Sequence, residues 1–175
     1  MDIFTIGHST HPLEDFVALL KAHDIETIAD VRTVPKSRYN PQFNQDNLAR
    51  ELPRAGIRYV HLKDLGGLRQ ARPDSTNTGM KQDFRGYADY MQTEAFDAAL
   101  DGLIELGAQS RTAIMCAEGD PAHCHRNLAA DALTARGVTV LHISSRKSLL
   151  PHKLTPFAHV EGTRVTYPGS QLNLL

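Results

Sequence analysis

Short apolar runs alternate along the chain with segments in which apolar residues recur every three or four positions. The runs predict five strands, at 3–6, 27–31, 57–62, 112–116 and 138–143. The periodic segments predict helices after Pro12, between Asn44 and Gly56, over 84–91, around 96–104 and over 121–136. This alternation is typical of βαβ units. We therefore expect a three-layer α/β sandwich with about five mainly parallel strands.

Two further segments complete the prediction of a single α/β domain over residues 1–175. Residues 63–83 contain four glycines and prolines and few apolar residues, which predicts a long, functional or mobile loop. In the tail, residues 158–160 and 164–167 predict a hairpin that turns at Glu161-Gly162. The sheet should therefore be followed by a C-terminal hairpin or tail.

The composition excludes several classes of protein but does not indicate a function. The net charge of −1 over 175 residues excludes a strongly basic nucleic-acid coat, although a local basic patch remains compatible with it. No apolar run is long enough to span a membrane, and the N-terminus does not read as a signal peptide. We expect a cytoplasmic protein without a membrane partner. Its two cysteines are then not expected to form a structural disulfide.

Polar and titratable side chains follow every predicted strand. They are Gly7 to His11 after the first, Asp30 to Arg32 at the second, His61 to Asp64 after the third, Cys116 to Glu118 after the fourth and Ser144 to Lys147 after the fifth. Ligands of open α/β sheets bind at the carboxyl ends of the strands. The sequence therefore predicts a functional site at this edge.

Each of these groups also has a structural interpretation. His8 and Ser9 are placed to cap the first helix, and Asp30 and Arg32 to form a structural ion pair. Cys116 ends a buried strand, where an inert packed cysteine is common. Arg126 could form a salt bridge with Asp30 or Glu118. Even that salt bridge would hold the strand-end loops together.

The segment from Cys116 to Arg126 contains most of the candidate catalytic side chains. Asp120 and Pro121 predict a helix start, which would place Cys124 in the first turn. There the helix dipole and neighbouring cationic groups favour a thiolate, although a small residue packed under the helix remains the alternative. The candidate catalytic residues are His8, Glu118, Cys124 and His125, with Cys116 as a possible addition.

The loop from Arg32 to Pro41 contains three cations and no acid, a composition that suits phosphate. The candidate binding residues are Ser9, Asp30, Arg32, Ser37, Arg38 and Arg126. Seven residues separate the two cysteines, unlike the close ligand pairs of structural zinc. We expect no metal ion, and the sequence requires no cofactor.

Several segments together resemble the family called domain of unknown function 488. They are TIGHST, DVRTVPKSRYNPQFN, GIRYVHLKDLGG, FRGYADYM and CAEGDPAHCHR, in that order and over nearly the whole chain. The resemblance implies a single α/β domain and no particular activity. It marks as characteristic His8, Ser9, Asp30, Arg32, Ser37, Cys116, Glu118, Cys124, His125 and Arg126.

The chain also resembles rhodanese-like domains, which carry Asp-x-Arg after an early strand and a cysteine between a strand and a helix. Here Cys116 and Arg126 stand ten positions apart, and Asp120 to Ala122 interrupt the tight anion-binding loop of that class. This departure argues against a persulfide or phosphocysteine mechanism, whereas the topology is still expected to be Rossmann-like or rhodanese-like.

The mixture of cations, a carboxylate and imidazoles favours an enzyme acting on a small phosphate-bearing or nucleotide-like substrate. The alternative is a non-enzymatic module that binds a nucleotide or nucleic acid through the basic loop. Rhodanese-like thiol chemistry is a third, less favoured interpretation.

Overall fold

A six-stranded sheet forms the centre of the molecule. The computed structural model describes residues 1–169. The strands are β1 (Asp2–Gly7), β2 (Thr27–Asp30), β3 (Arg58–His61), β4 (Thr112–Cys116), β5 (Thr139–Ser145) and β6 (Ser148–Pro151). They are ordered β3-β2-β4-β1-β5-β6. The first five strands are parallel, and β6 pairs antiparallel with β5.

Helices cover both faces of this sheet, which confirms the predicted three-layer α/β architecture. They are α1 (Leu13–Ala22), α2 (Gln45–Arg54), α3 (Gln82–Tyr90), α4 (Glu94–Gln109) and α5 (Arg126–Ala135). The helices α1 and α2 pack on one face, and α3, α4 and α5 on the other. Short 3-10 helices lie at Pro41–Phe43, Lys63–Leu65 and Pro121–His123.

The central strands are buried on both faces, as their near-continuous apolar sequence requires. All five residues of β4 are buried. Alternate side chains point to opposite layers, so Ile114 and Cys116 join the α3–α5 core while Ala113 and Met115 join the α1–α2 core. The carboxyl ends of β1, β2 and β4 therefore present side chains from both cores at one edge.

Two sequence predictions about the elements were wrong. A sixth strand, β6, follows β5 through a tight turn, although residues 144–147 were assigned to the polar strand-end edge and the tail was placed from Pro151. The helix predicted over 121–136 begins only at Arg126, because Pro121–His123 forms a separate 3-10 helix. Cys124 therefore precedes α5 in an extended conformation, with φ −139° and ψ 146°.

The predicted C-terminal hairpin is present as β7 (His159–Glu161) and β8 (Arg164–Thr166). Its turn contains Gly162 at φ +61°, a backbone conformation that glycine adopts without strain. Between β3 and α3 the chain forms only one short 3-10 helix, Lys63–Leu65. This agrees closely with the long loop predicted over residues 63–83. Within residues 1–169, no helix is long and apolar enough to cross a bilayer.

Candidate functional site

A cavity of about 390 Å³ opens at the carboxyl ends of β1, β2 and β4. Its lining is drawn from the two cores and from the loops that follow these strands. The lining residues are His8, Arg32, Thr33, Val34, Lys36, Ser37, Gly67, Leu68, Asp83, Phe84, Cys116, Ala117, Glu118, His123, Cys124 and His125. All four predicted catalytic residues therefore line one space.

Cys124 and His125 form a thiol–imidazole pair in this cavity. The Nε2 atom of His125 lies 2.9 Å from the carbonyl oxygen of Val31. Because a carbonyl only accepts hydrogen bonds, Nε2 carries a proton and Nδ1 is the basic atom of the neutral ring. This Nδ1 lies 3.6 Å from Cys124 Sγ. A backbone carbonyl thus selects the tautomer that can take the proton of the thiol.

Two further groups lie near the sulfur of Cys124. The Cys116 thiol lines the same cavity and donates to the carbonyl oxygen of Glu118 at 3.8 Å, and the backbone N–H of Arg126 lies 3.5 Å from Sγ of Cys124. Interaction with the Cys116 side chain, together with the contacts from His125 and the Arg126 amide, lowers the pKa of Cys124 well below the usual value of a thiol. The same interaction and burial raise the pKa of Cys116. The pKa values of the two thiols are thus shifted in opposite directions.

The guanidinium of Arg126 lies beneath this pair and is 1% exposed. Its Nη2 donates to the carbonyl of Gly119 at 3.0 Å, while Nε and Nη1 have no hydrogen-bond partner among residues 1–169. The predicted salt bridge to Asp30 or Glu118 does not form. Arg126 does not line the cavity. Its buried charge instead adds positive potential next to the thiols.

His8 supplies a second imidazole, stacked on Phe43 at 4.3 Å. Its Nδ1–H donates to the carbonyl of Ser9 at 2.8 Å, so Nε2 is the basic atom. Burial lowers the pKa of His8, which keeps the ring neutral. The predicted capping role does not apply, because α1 begins after Pro12 without a side-chain cap.

The predicted structural pairing of Asp30 with Arg32 is present. Arg32 Nε and Nη2 lie 2.9 and 2.7 Å from the two carboxylate oxygens of Asp30, and Tyr59 donates to the same carboxylate. The remaining Arg32 nitrogen, Nη1, lies 3.4 Å from His8 Nε2. Asp30 is fully buried, so it positions Arg32 rather than lining the cavity.

The other predicted site residues divide between the lining and its surroundings. Ser37 and Glu118 line the cavity. Arg38 lies outside the lining and packs over the ring of Tyr39 at 5.8 Å. Ser9, at φ +48°, is also outside the lining.

Two strand-end segments are not brought to this site. Ser144 and Ser145 end β5, and Arg146 and Lys147 form the turn between β5 and β6 at the sheet edge. His61 Nε2 donates to the carbonyl of Arg32 at 2.7 Å, and His61, like Lys63 and Asp64, does not line the cavity. The prediction that both segments reach the same site was wrong, because β3 and β5 flank the strands β2, β4 and β1 that form it.

Sequence reasoning missed three features that hold the site together. The carbonyl of Val31 orients His125 but carries no side-chain signal. At Gly67, a Cβ would lie 2.6 Å from the ring of His125, and at Gly7 it would lie 1.8 Å from the carbonyl oxygen of Glu118. Because they have no side chain, these glycines let a ring and a loop approach closely. The glycines belong to the motifs TIGHST and DLGG, but the sequence alone does not reveal what packs against them.

No three histidine, cysteine or acidic side chains within residues 1–169 come together in a group that could hold a metal ion. Both cysteines are free thiols. The chemistry that the lining offers is thus that of a thiolate, imidazoles, a carboxylate and cations.

Comparison with known proteins places these residues in a family. No curated protein and no solved structure matches the chain. The family model described as domain of unknown function DUF488 matches residues 12–133 of the 175. The match extends from α1 to α5 and includes Asp30, Arg32, Cys116, Cys124 and Arg126, whereas His8 and Ser9 precede it. With its α/β sheet and most of its candidate site inside the matched region, the chain belongs to the DUF488 family.

Proposed function

We propose that this protein is an enzyme that uses Cys124 as a nucleophile on a small phosphate-bearing or nucleotide-like substrate. The observation that carries the proposal is the cavity-facing thiol beside His125 Nδ1, with the opposite ring nitrogen fixed by a carbonyl. A nucleophile, an adjacent base and a group that orients the base are the parts that covalent catalysis needs. A binding module has no need of this arrangement.

The thiolate attacks an electrophilic carbon rather than phosphorus. Transfer of a phosphoryl group to sulfur needs a nest of backbone amides around the anion. Here one described amide, that of Arg126, faces Sγ, and α5 begins directly afterwards. A carbonyl or glycosyl carbon needs only a nucleophile and a proton donor for the leaving group. Glu118 and His8, which line the same cavity, supply proton transfer.

The chemical character of the walls favours a nucleotide-like ligand. Arg32, Lys36 and Ser37 line one wall with donors for an anion. Asp83 and Glu118 supply acceptors, which suit hydroxyl and amino groups. Val34, Leu68 and Phe84 add apolar area for a flat ring. The cavity volume of about 390 Å³ falls in the range of small-molecule sites.

A covalent-capture screen tests the proposal. The reduced protein is mixed with nucleotides and phosphorylated metabolites that carry an acyl or glycosyl carbon, quenched in acid and weighed intact. We expect an adduct on Cys124 with at least one substrate, and none in Cys124→Ser. Glu118→Gln should fold normally and slow turnover by about 100-fold, the usual contribution of an acid–base group. An activity that survives unchanged in Cys124→Ser would overturn the proposal, and Asp97→Asn serves as a surface control.

A nucleic-acid binding module is the second candidate, favoured by the outer part of the basic loop. Tyr39 is 85% exposed, Arg38 packs over its ring, and Val34 nearby is 59% exposed. An exposed aromatic ring beside cations is the usual platform for a single-stranded base. Binding of short single strands, measured at two salt concentrations, tests it. Salt-sensitive binding that Tyr39→Ala abolishes supports the module, and absence of binding at low salt removes it.

A further inference from the structure

The two cysteines meet although they come from different segments. Cys116 ends β4, and Cys124 follows the 3-10 helix Pro121–His123. Both line the same cavity and belong to the same buried cluster, and their interaction lowers the pKa of Cys124 and raises that of Cys116. A nucleophilic Cys124 beside His125 needs no second thiol at this position. The presence of a second thiol points to redox chemistry.

We propose that Cys116 and Cys124 are a peroxide-sensitive pair, in which Cys116 resolves an oxidised Cys124 into a reversible intramolecular disulfide. The inference goes beyond the proposed function, because it holds whether or not Cys124 has an organic substrate. The co-reactant is a hydroperoxide, and a small-molecule or protein dithiol reverses the reaction.

The first step is oxidation of Cys124. Its thiolate attacks the terminal oxygen of the hydroperoxide, the O–O bond breaks, and the alkoxide leaves and takes up a proton as an alcohol. Cys124 is then a sulfenic acid. The ring of His125 lies beside the sulfur, and the buried guanidinium of Arg126 adds positive potential to the thiol pair, which stabilises the charge that moves onto the leaving oxygen.

The second step joins the two sulfurs. Sγ of Cys116 attacks the sulfenic sulfur, the S–O bond breaks, and hydroxide leaves with the proton of Cys116 as water. Two thiols and one hydroperoxide thus give one disulfide, one alcohol and one water. His8 and Glu118 line the cavity as acceptors for the proton of Cys116.

The surrounding structure lets the two sulfurs, which line one cavity, approach to the disulfide length of about 2 Å. The connecting segment 117–123 is mostly exposed and contains one short 3-10 helix. Small movements of Cys124 therefore cost few packed contacts, whereas Cys116 is fixed in the buried strand β4. The cavity gives a small oxidant access to Cys124, although the residue itself is 6% exposed.

The test is mass mapping after titration of the native protein with hydrogen peroxide. Cleavage after Arg111 and Arg126 gives one peptide, 112–126, that holds both cysteines. We expect this peptide to lose two hydrogen atoms and regain them with a dithiol. Further cleavage after Glu118 should leave two fragments joined until reduction. Met115, fully buried in the same peptide, reports non-specific oxidation.

Variants separate the two roles. Cys116→Ser should trap Cys124 as a sulfenic acid that reacts with dimedone, and Cys124→Ser should leave Cys116 reduced at the same peroxide concentration. Wild-type protein in which Cys124 gains oxygen while Cys116 stays free overturns the inference. So does wild-type protein in which neither thiol reacts, or in which the disulfide joins two chains. The readout needs no substrate, so it is independent of the proposed enzyme activity.

Discussion

At the scale of single residues, His125 determines how the thiol behaves. Its Nε2 bond to the carbonyl of Val31 leaves Nδ1 facing Cys124, and its ring packs edge-on against Tyr87 at 5.1 Å. Both contacts prevent the ring from turning. The basic nitrogen of a neighbour in sequence thereby faces the sulfur of Cys124, because the extended backbone before α5 brings the two side chains to one cavity.

Replacement of His125 by glutamine tests this relation. The variant keeps a hydrogen-bonding side chain but removes the basic nitrogen, so the pKa of Cys124 should rise towards that of a free thiol. We expect alkylation of Cys124 at pH 6 to slow by about 10-fold, which corresponds to a thiol pKa of about 7 in the variant, because only about a tenth of the thiol is then ionised. His123→Gln, at an imidazole whose side chain is 70% exposed, is the matched control and should change the rate little. Equal effects of the two variants would contradict the assignment.

Close packing at Gly7 makes a second test at this scale. A Cβ at Gly7 would lie 1.8 Å from the carbonyl oxygen of Glu118, which belongs to backbone and cannot swing away. Gly7→Ala should lower the free energy of unfolding by about 2 kcal/mol or more, measured in urea. Gly102→Ala, in α4 with open space around it, should instead raise it by roughly 0.5–1 kcal/mol. A neutral Gly7→Ala would show that the loop does not pack there.

The sequence identified the side chains of the site more fully than the bonds between them. His8, Cys116, Glu118, Cys124 and His125 were found because each follows a strand or opens a helix. Their hydrogen-bond partners are largely backbone carbonyls, which look the same at every position of a sequence. The tautomer of an imidazole and the fit of a glycine against a ring therefore had to come from the structure.

At the scale of elements, α5 holds the C-terminal segment to the sheet. The Asp131 carboxylate accepts hydrogen bonds from His152 Nε2, from the backbone and hydroxyl of Thr155, and from the Tyr167 hydroxyl. Asp131 is fully buried. A carboxylate with four donors is paired as buried charge requires. Asp131 thus joins three residues of the tail to α5.

Loss of this carboxylate should release the tail. In Asp131→Asn the side-chain amide has a single accepting oxygen, so two or more of the four donors lose their partner. We expect a loss of about 2–4 kcal/mol in the free energy of unfolding and faster proteolysis after residue 150. Asp97→Asn removes the exposed partner of Arg136 and should change stability by less than about 0.5 kcal/mol. Similar effects of the two variants would contradict the role of Asp131.

Elements with a strong local pattern were predicted, and elements defined by their partners were not. The strand β4 is apolar at every position and was found with its bounds unchanged. The strand β6 is four residues long, ends in proline and forms because β5 offers it an edge. Likewise, Asp120 does cap a helix, but it is the short 3-10 helix before Cys124. A cap signal does not reveal how far the helix continues.

At the scale of the whole molecule, buried imidazoles couple stability to pH. A chain of hydrogen bonds joins Thr5 to His142, His142 to His152 and His152 to Asp131, across β1, β5, the tail and α5. Burial, together with the charges of His152 and Arg126, lowers the pKa of His142 to about 4. The ring is therefore neutral in the folded protein at pH values where the unfolded chain is protonated.

The sign of the effect follows from this difference. Between the unfolded value of about 6.5 and the folded value of about 4, the unfolded chain binds more protons. The stability that the lowered pKa of His142 contributes is fully present above pH 6.5 and is lost as the pH falls towards 4. We expect a decrease on the order of 1 kcal/mol from pH 7 to pH 5 in urea unfolding, with a smaller slope in His142→Gln. His159→Gln, at an exposed position of β7, should keep the wild-type slope. A slope unchanged in His142→Gln would exclude this residue as its source.

The sheet brings together at one cavity groups that are more than a hundred residues apart in sequence. Under the proposed function, the thiolate of Cys124 is the most reactive of them. The rate at which iodoacetamide labels the reduced native protein, measured against pH and mapped after cleavage at Glu118, tests this directly. We predict preferential labelling of Cys124 with a midpoint well below the free-thiol value of about 8.5. Equal and slow labelling of Cys116 and Cys124, or a Cys124 midpoint at or above that value, would contradict it.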